Sequence, residues 1–214
     1  MSEGRTPDGG LRVDRVVTSG TFSLDGGTWD VDNNVWVIGD DVECLVVDAA
    51  HDAEPIVSAV AGRQVVAVVL THGHDDHIGV APELSRRLSA PVLLHPNDRM
   101  LWDRVHAGVA PSPLVDAQAI EVAGTWLRVL HTPGHSPGSC CVVAPGRVFT
   151  GDTLFAGGPG ATGRSFSDFG TIMASITDRL LVLPGETVVH TGHGDDTTIG
   201  AEAPHRQEWL DRGH

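Results

Sequence analysis

The 214-residue sequence contains no lysine and no tyrosine. A P-loop needs a lysine to reach its bound phosphates, and Schiff-base chemistry needs a lysine amine, so both classes of protein are excluded. Positive charge is scarce as well, because 14 arginines face 28 acidic residues and the net charge is -14. Such a chain cannot gain affinity by releasing counterions from a phosphate backbone, so we expect no nucleic-acid partner.

The sequence also has few cysteines and no long apolar run. The cysteines, Cys44, Cys140 and Cys141, are odd in number and two of them are adjacent, which excludes a disulfide framework. No run of apolar residues approaches the length of a membrane span, and the polar start lacks the apolar core of a signal peptide. We therefore expect a cytoplasmic protein with no membrane partner, in which residues 1–12 form a disordered tail and residues 13–214 form one domain.

Short apolar runs bounded by Gly, Pro or Asp predict strands, and amphipathic segments between some of them predict helices. The hairpin-like pairs mixed with crossover helices indicate an α/β fold with mixed sheets covered by helices. The predicted strands are 35–38, 42–47, 65–70, 91–94, 126–130, 140–144, 147–150 and 187–191, and the predicted helices are 55–61, 76–88, 97–105, 167–183 and 201–210. The irregular stretches 107–118 and 156–164 are expected to shape a binding mouth.

One histidine-rich segment follows directly on the apolar strand 65–70. His72 and His74 lie two residues apart on extended chain and project the same way, whereas Asp76 and His77 fall in the first turn of the next helix. Imidazoles with a few carboxylates are the ligands of zinc, or of iron or manganese where those metals are available. The segment therefore predicts a metal site, with room for two ions.

Three later residues share this setting, since each lies in a Gly-rich turn directly after an apolar strand. They are His135, Asp152 and His193. Glycine beside a ligand lets the backbone approach a metal closely. Together with the first segment they make a set of seven candidate ligands.

The pattern His72-x-His74-x-Asp76-His77, followed by His135, Asp152 and His193, resembles the metallo-β-lactamase superfamily over residues from about 13 to 200. The resemblance implies an αββα sandwich, in which two mixed β-sheets face each other with helices outside. It also implies that one metal is held by His72, His74 and His135, that the other is held by Asp76, His77 and His193, and that Asp152 bridges them. Asp48 matches an early structural aspartate of this superfamily.

The Gly-Asp-Thr context of Asp152 is similar to the glyoxalase II branch. This resemblance implies two divalent ions, with zinc favoured over iron or manganese, and a metal-bridging hydroxide that attacks an acyl thioester, with Asp76 and Asp152 as catalytic carboxylates. A thiolate leaves without a protonating acid, which suits a chain without lysine or tyrosine. Arg164 is the candidate cation for a substrate carboxylate. The sequence ends 21 residues after His193, without the glutathione-gripping helical domain of glyoxalase II, so the thiol carrier stays open.

Several alternatives share these residues. A mononuclear-iron persulfide dioxygenase needs His72, His74 and His135 but leaves the second site empty, and a lactonase or other small-ester hydrolase has the same fold. Two local patterns are set aside. The run 134–138 matches the G-x-S-x-G of serine hydrolases, but Pro137 lacks the N–H that the oxyanion hole requires. The G-x-G-x-x-G run 158–163 does not directly follow a strand and is expected to form a loop.

Overall fold

The computed structural model describes residues 10–213. Most of the predicted disordered tail, residues 1–12, therefore lies outside the described residues. Within them, Leu11 is buried in the core and Arg12 begins the first strand. The folded chain thus includes residues 11 and 12, which the expected boundary at residue 13 left out.

Two six-stranded sheets and one short two-stranded sheet contain the strands of the described chain. In chain order these are β1 (Arg12–Leu24), β2 (Gly27–Gly39), β3 (Glu43–Val47), β4 (Gln64–Val69), β5 (Val92–Leu94), β6 (Ser112–Pro113), β7 (Ala119–Val122), β8 (Thr125–His131), β9 (Cys140–Ala144), β10 (Arg147–Gly151), β11 (Leu154–Phe155), β12 (Gly158–Pro159), β13 (Val188–Thr191) and β14 (Thr197–Thr198).

Helices connect and cover these strands. They are α1 (Ala53–Val60), α2 (Asp75–Ile78), α3 (Ala81–Leu88), α4 (Arg99–Val105), α5 (Phe169–Ser175), α6 (Ile199–Glu202) and α7 (Arg206–Arg212). Short 3-10 turns, Pro96–Asp98 and Ala203–His205, precede α4 and α7, and a turn of π-helix, Ile176–Leu180, extends α5. None of the helices among residues 10–213 is long and apolar enough to cross a membrane.

Both large sheets are mixed, as predicted. The first has the order β1-β2-β3-β4-β5-β6, antiparallel as far as β3 and parallel from β3 to β6. The second has the order β14-β13-β10-β9-β8-β7, with β10 and β13 parallel and the other pairs antiparallel. The crossovers between parallel strands carry α1 and α3 in the first sheet and α5 in the second, as parallel pairing requires.

Three apolar clusters fill the layers of this sandwich. Between the sheets, side chains such as Trp36, Leu45 and Phe149 form the central core. Outside the first sheet, Ile56 of α1, Leu84 of α3 and Trp102 of α4 pack on its outer face. Outside the second sheet, a third cluster contains helical side chains that include Ile172 and Trp209. The predicted αββα sandwich is confirmed.

Several elements differ from the sequence expectation. The short strands β6, β7, β11, β12 and β14 were not predicted, and the predicted helix 201–210 is divided into α6, a 3-10 turn and α7. Two further differences involve longer elements. The first is the hairpin of β1 and β2, thirteen residues a strand, of which only residues 35–38 were predicted. Much of it is exposed or half-buried and polar, so it lacks the apolar signal of a core strand. The second is the predicted helix 76–88, which the structure divides into α2 and α3. Pro82 cannot donate a hydrogen bond to the preceding turn, so it starts a new helix.

Candidate metal centre

The seven predicted ligands meet at one edge of the sandwich. His72, His74, Asp76 and His77 lie on the loop after β4 and on α2, and the other three follow β8, β10 and β13. Strands β8, β10 and β13 run in the same direction in the second sheet, so their carboxyl ends reach the same edge. Residues separated by up to about 120 positions in the chain are thereby brought together at this edge.

The first ligand group is formed by three histidines. Nδ1 of His74 lies 3.0 Å from Nε2 of His72 and 3.0 Å from Nε2 of His135. All three rings are buried. Three imidazole nitrogens at this spacing form one face of a tetrahedron of the size that surrounds a zinc-type ion.

The second ligand group is formed by Asp76, His77 and His193. Nε2 of His77 lies 3.2 Å from Nε2 of His193, and Oδ2 of Asp76 lies 3.4 Å from each of these nitrogens. This set of two nitrogens and one oxygen is also suited to a divalent transition metal.

Asp152 lies between the two groups. Its Oδ1 is 3.3 Å from Nε2 of His77, and its Oδ2 is 3.5 Å from Nε2 of His135 and 3.4 Å from Nε2 of His193. One carboxylate therefore approaches ligand nitrogens of both groups. The family resemblance implies this position for a bridging residue.

The hydrogen bonds behind the histidines fix which ring nitrogen is free. A carboxylate or a carbonyl oxygen can only accept, so a ring nitrogen facing one must carry the proton, and the lone pair is then on the other nitrogen. Three of the histidines have such an oxygen facing Nδ1. Their Nδ1 therefore carries the proton, and Nε2, the nitrogen that lies in the ligand group, has the free lone pair. The pairs are His77 with Oδ2 of Asp48 at 2.9 Å, His135 with the carbonyl of Ala161 at 2.9 Å, and His193 with the carbonyl of Asp32 at 2.7 Å.

Asp48 also orients the ring of His72 through Thr71. The Thr71 hydroxyl donates to Oδ2 of Asp48 at 2.9 Å, and its own lone pair faces Nδ1 of His72 at 3.1 Å. The Thr71 amide donates to the other oxygen of Asp48 at 2.7 Å. The early aspartate therefore supports one histidine of each group, which agrees with the structural role implied by its position in the sequence.

The two groups differ in their affinity for protons. Burial, together with the neighbouring His135, lowers the pKa of His74 to about 3. Burial also lowers the pKa of His193, but the carboxylates of Asp152 and Asp76 outweigh it and raise that pKa to about 10. The first group thus offers a neutral imidazole at neutral pH, whereas the carboxylates of the second group stabilise a positive charge at the position where a cation would bind.

Several polar atoms of the site lack a hydrogen-bond partner in the described chain although they are buried. These are Nε2 of His74, Oδ1 of Asp76 and Oδ1 of Asp152. Leaving such atoms unpaired is costly, and Oδ1 of Asp152, which faces Nε2 of His77, is paired when a cation binds there. This orphaned oxygen, the fixed tautomers and the ligand spacings together fit a centre that holds two metal ions.

Asp98 ties the two loops of the first group together, and no sequence motif identified it. Its Oδ2 accepts from the Gly73 amide at 2.8 Å and from the Ser136 hydroxyl at 2.6 Å, and its Oδ1 accepts from the Gly138 amide at 2.6 Å. Gly73 lies between two of the ligands and Ser136 follows the third. This buried carboxylate therefore fixes the distance between the loops that carry the group.

We predict that Asp98→Asn weakens metal binding at the first group about 10–100-fold, the usual effect of removing a supporting hydrogen bond behind a ligand. An amide has only one accepting oxygen, so one of the two loops faces an N–H₂ group. Chelator competition on the purified variant measures the effect, and Asp178→Ala, at an exposed position of the π-turn, is the control. Unchanged affinity in Asp98→Asn would show that the loops hold their spacing without this carboxylate.

A cavity of about 220 Å³ opens above the ligands. Its apolar wall comes from the β1–β2 hairpin and includes Phe22, Leu24 and Trp29. The sequence did not predict the hairpin as a wall of the cavity, because its apolar side chains are spread singly among polar ones.

Arg164 lies at the rim of this cavity. Its guanidinium carbon is 3.7 Å from the centre of the Trp29 ring and 5.5 Å from that of Phe22, so the ring faces hold the cation in place. The amide of the next residue, Ser165, donates to Asp25 at the hairpin tip. Of the predicted mouth segments, 156–164 lines the cavity, whereas residues of 107–118 line a separate cleft.

The two patterns set aside in the sequence have structural explanations. The Ser136 hydroxyl is buried and donates to Asp98, so it is not an exposed nucleophile. In the Gly-rich run, a Cβ at Gly160 would lie 1.7 Å from the carbonyl oxygen of Asp152. Glycine is required there because the loop packs directly against the backbone of a candidate ligand.

The fold and the grouped ligands define a class of protein, and the comparisons agree with it. Residues 28–193 match the model of the metallo-beta-lactamase superfamily. The chain belongs to this superfamily.

Among its relatives is a protein described as the probable metallo-hydrolase YqgX of Bacillus subtilis (strain 168), which is 34% identical over 183 residues, covering 78% of this chain and 86% of the relative. Hydroxyacylglutathione hydrolase GloC of Haemophilus influenzae is 29% identical over 181 residues, covering 76% and 85%. The crystal structure of TTHA1623 in a di-iron-bound form superposes with a TM-score of 0.72 at 33% identity, covering 81% of this chain and 93% of that one.

Proposed function

We propose that this chain is a two-metal hydrolase of the glyoxalase II-like branch, acting on an acyl thioester of a low-molecular-weight thiol. The observation that carries the proposal is the position of Asp152, whose two oxygens approach ligand nitrogens of both groups. A carboxylate in this position can be shared by two ions, one in each group. The similarity to GloC, a hydroxyacylglutathione hydrolase, supports the choice of branch.

In this proposal His72, His74 and His135 would hold one ion, Asp76, His77 and His193 would hold the other, and Asp152 would be available to both. When bound, a pair of divalent ions polarises a carbonyl oxygen and lowers the pKa of water towards neutrality. Zinc suits both groups, and iron or manganese fits the oxygen-containing second group as well. The donor set does not select among these metals.

The chain's own carboxylates handle the proton in this scheme. Oδ2 of Asp76 lies in the second ligand group, while its Oδ1 is buried and has no partner among the described residues. That oxygen is available to accept a proton from the attacking water and to orient it towards the substrate carbonyl. The departing thiol leaves as a thiolate, whose conjugate acid has a pKa of about 8.5, so no lysine or tyrosine is required as an acid.

The cavity supports a small substrate. The apolar side chains of the hairpin suit the acyl portion or the thiol portion of a thioester, and the enclosed space is too small for a macromolecule. Arg164 is the arginine among its lining residues, and we assign it to a carboxylate of the substrate.

Replacing Arg164 by methionine keeps the apolar stem but removes the charge. We expect KM for a carboxylate-bearing thioester to rise about tenfold with little change in kcat, because one charge-assisted contact made equally in the ground state and transition state is lost. A neutral thioester should be unaffected, as should the variant Arg86→Met on the outer surface of α3. An equal rise in KM for the neutral substrate would show that Arg164 does not bind the substrate carboxylate.

A panel of substrates tests the proposed activity. S-lactoylglutathione, its mycothiol analogue, a homoserine lactone and nitrocefin are assayed before and after chelation, and oxygen uptake is measured with a glutathione persulfide. We expect hydrolysis of a thioester that disappears on chelation and returns when metal is restored. Oxygen uptake with one iron per chain would instead identify a persulfide dioxygenase, and turnover of the lactone alone would identify a lactonase.

A further inference from the structure

Asn33 lies on β2, opposite Thr18 of β1, and is fully buried. Its side chain points at the second ligand group. Nδ2 of Asn33 is 3.0 Å from Oδ2 of Asp76, 3.1 Å from Nε2 of His77 and 3.5 Å from Nε2 of His193. The amide nitrogen therefore lies within hydrogen-bonding distance of the ligand atom of each of the three residues in this group.

The amide approaches the group from its buried side. Asp76 and His193 line the cavity above the centre, whereas Asn33 is not among the lining residues and has no exposed surface. A neutral donor placed behind a ligand carboxylate orients it without adding charge to the site. The bond from Nδ2 to Asp76 can thus fix the oxygen that faces the metal position.

His51 determines which end of the amide faces the ligands. Its Nε2 lies 2.7 Å from Oδ1 of Asn33, so a proton on Nε2 holds the amide oxygen away from the ligand group and turns the N–H₂ towards it. The position of His51 is itself specified by the backbone. It has a φ of 50°, and a Cβ at Gly20 would lie 2.2 Å from its ring, so β1 needs glycine at that point to admit the imidazole.

We propose that Asn33 is a positioning residue for the second metal, acting through Asp76, and that His51 sets the orientation of its amide. This inference rests on the proposed two-metal function. It assigns to the pair a role that is selective, since no bond of Asn33 reaches His72, His74 or His135 of the first group in the described structure.

The test compares metal affinities of the two sites in the full-length chain. Metal-free wild type, Asn33→Leu and His51→Gly are titrated with Co²⁺ against a competing chelator, and bound ions are counted by atomic emission. In Asn33→Leu we expect the second equivalent to bind about 10–100-fold more weakly, with the first unchanged. His51→Gly should shift the second equivalent in the same direction by a smaller factor, because the amide is retained but loses its fixed orientation.

A matched control comes from the same hairpin. The Thr18 hydroxyl is buried and donates to the carbonyl of Ala50, so Thr18→Val also removes one buried hydrogen bond but touches no ligand atom. We expect it to leave both affinities unchanged. The Co²⁺ absorption spectrum adds a readout that a general loss of stability does not move, since only the bands of the second ion should shift in the two test variants.

The outcomes separate this inference from the proposed function. If wild type binds fewer than two ions, the proposed two-metal function fails. If wild type binds two ions and both test variants keep the wild-type affinity for the second, the inference alone fails. Equal weakening of both sites would also overturn it, because it would show a general effect on the fold. If Asn33→Leu does not fold, His51→Gly decides by the same criteria.

Discussion

Asp152→Ala is expected to lower kcat/KM by a factor of about 10²–10³ while the chain stays folded, the scale of losing one group that stabilises developing charge. Among residues 10–213, Asp152 is the one carboxylate whose two oxygens approach ligand nitrogens of both groups. Without it, the proposed pair of ions loses its shared protein ligand. The second ion should also be retained less well, because Asp152 is a principal reason that this group stabilises positive charge.

The measurement combines steady-state kinetics on the thioester with a count of metal ions per chain. Asp178→Ala removes an exposed carboxylate from the π-turn and should behave as wild type. Circular dichroism of the variant tests whether the fold is kept. Wild-type turnover in Asp152→Ala, at full metal content, would contradict the bridging role and with it the choice of branch.

His74→Ala is the second change for which we expect a loss of several orders of magnitude. Nδ1 of His74 is 3.0 Å from the ligand nitrogens of both His72 and His135, so it is the corner that joins the first group. Removing it leaves the first ion with two nitrogens and an oxygen that it shares with the second ion, in place of three nitrogens and that oxygen. We expect about one ion fewer per chain and activity near background.

The matched control is His205→Ala. His205 is half-exposed and forms an ion pair with Glu208. The substitution removes an imidazole without touching the centre, and both metal content and turnover should match wild type. Imidazole added to His74→Ala at millimolar concentration is a further check, since partial rescue indicates that only the missing ligand was lost. Full activity without His74 would show that the first group is assigned wrongly.

The seven candidate ligands could be selected from the sequence because each stands in a local context that metal binding requires. His72 and His74 alternate on extended chain after a buried strand, and His135, Asp152 and His193 each follow a strand in a Gly-rich turn. Apolar periodicity also predicted mixed sheets covered by helices, whereas the two facing sheets were implied by the family resemblance. Grouping the distant residues required the family resemblance, since spacing in the chain does not say which strand ends are neighbours.

The supporting residues could not be predicted in this way. Asp98 acts through backbone amides of two loops, and Asn33 meets its partners across a hairpin and a strand-to-helix turn. Neither belongs to a motif, because both interactions are defined only once the chain has folded. The β1–β2 hairpin was missed for a related reason, since its apolar side chains cover the cavity singly and give no continuous run.

The central claim is that seven side chains hold two metal ions in one centre. The most direct measurement is anomalous diffraction from crystals of the protein as purified, collected at the absorption edges of zinc, iron and manganese. We predict two peaks, one within ligand distance of His72, His74 and His135 and the other within ligand distance of Asp76, His77 and His193, with Asp152 in contact with both. A single peak, or none among these residues after metal is added, would contradict the account.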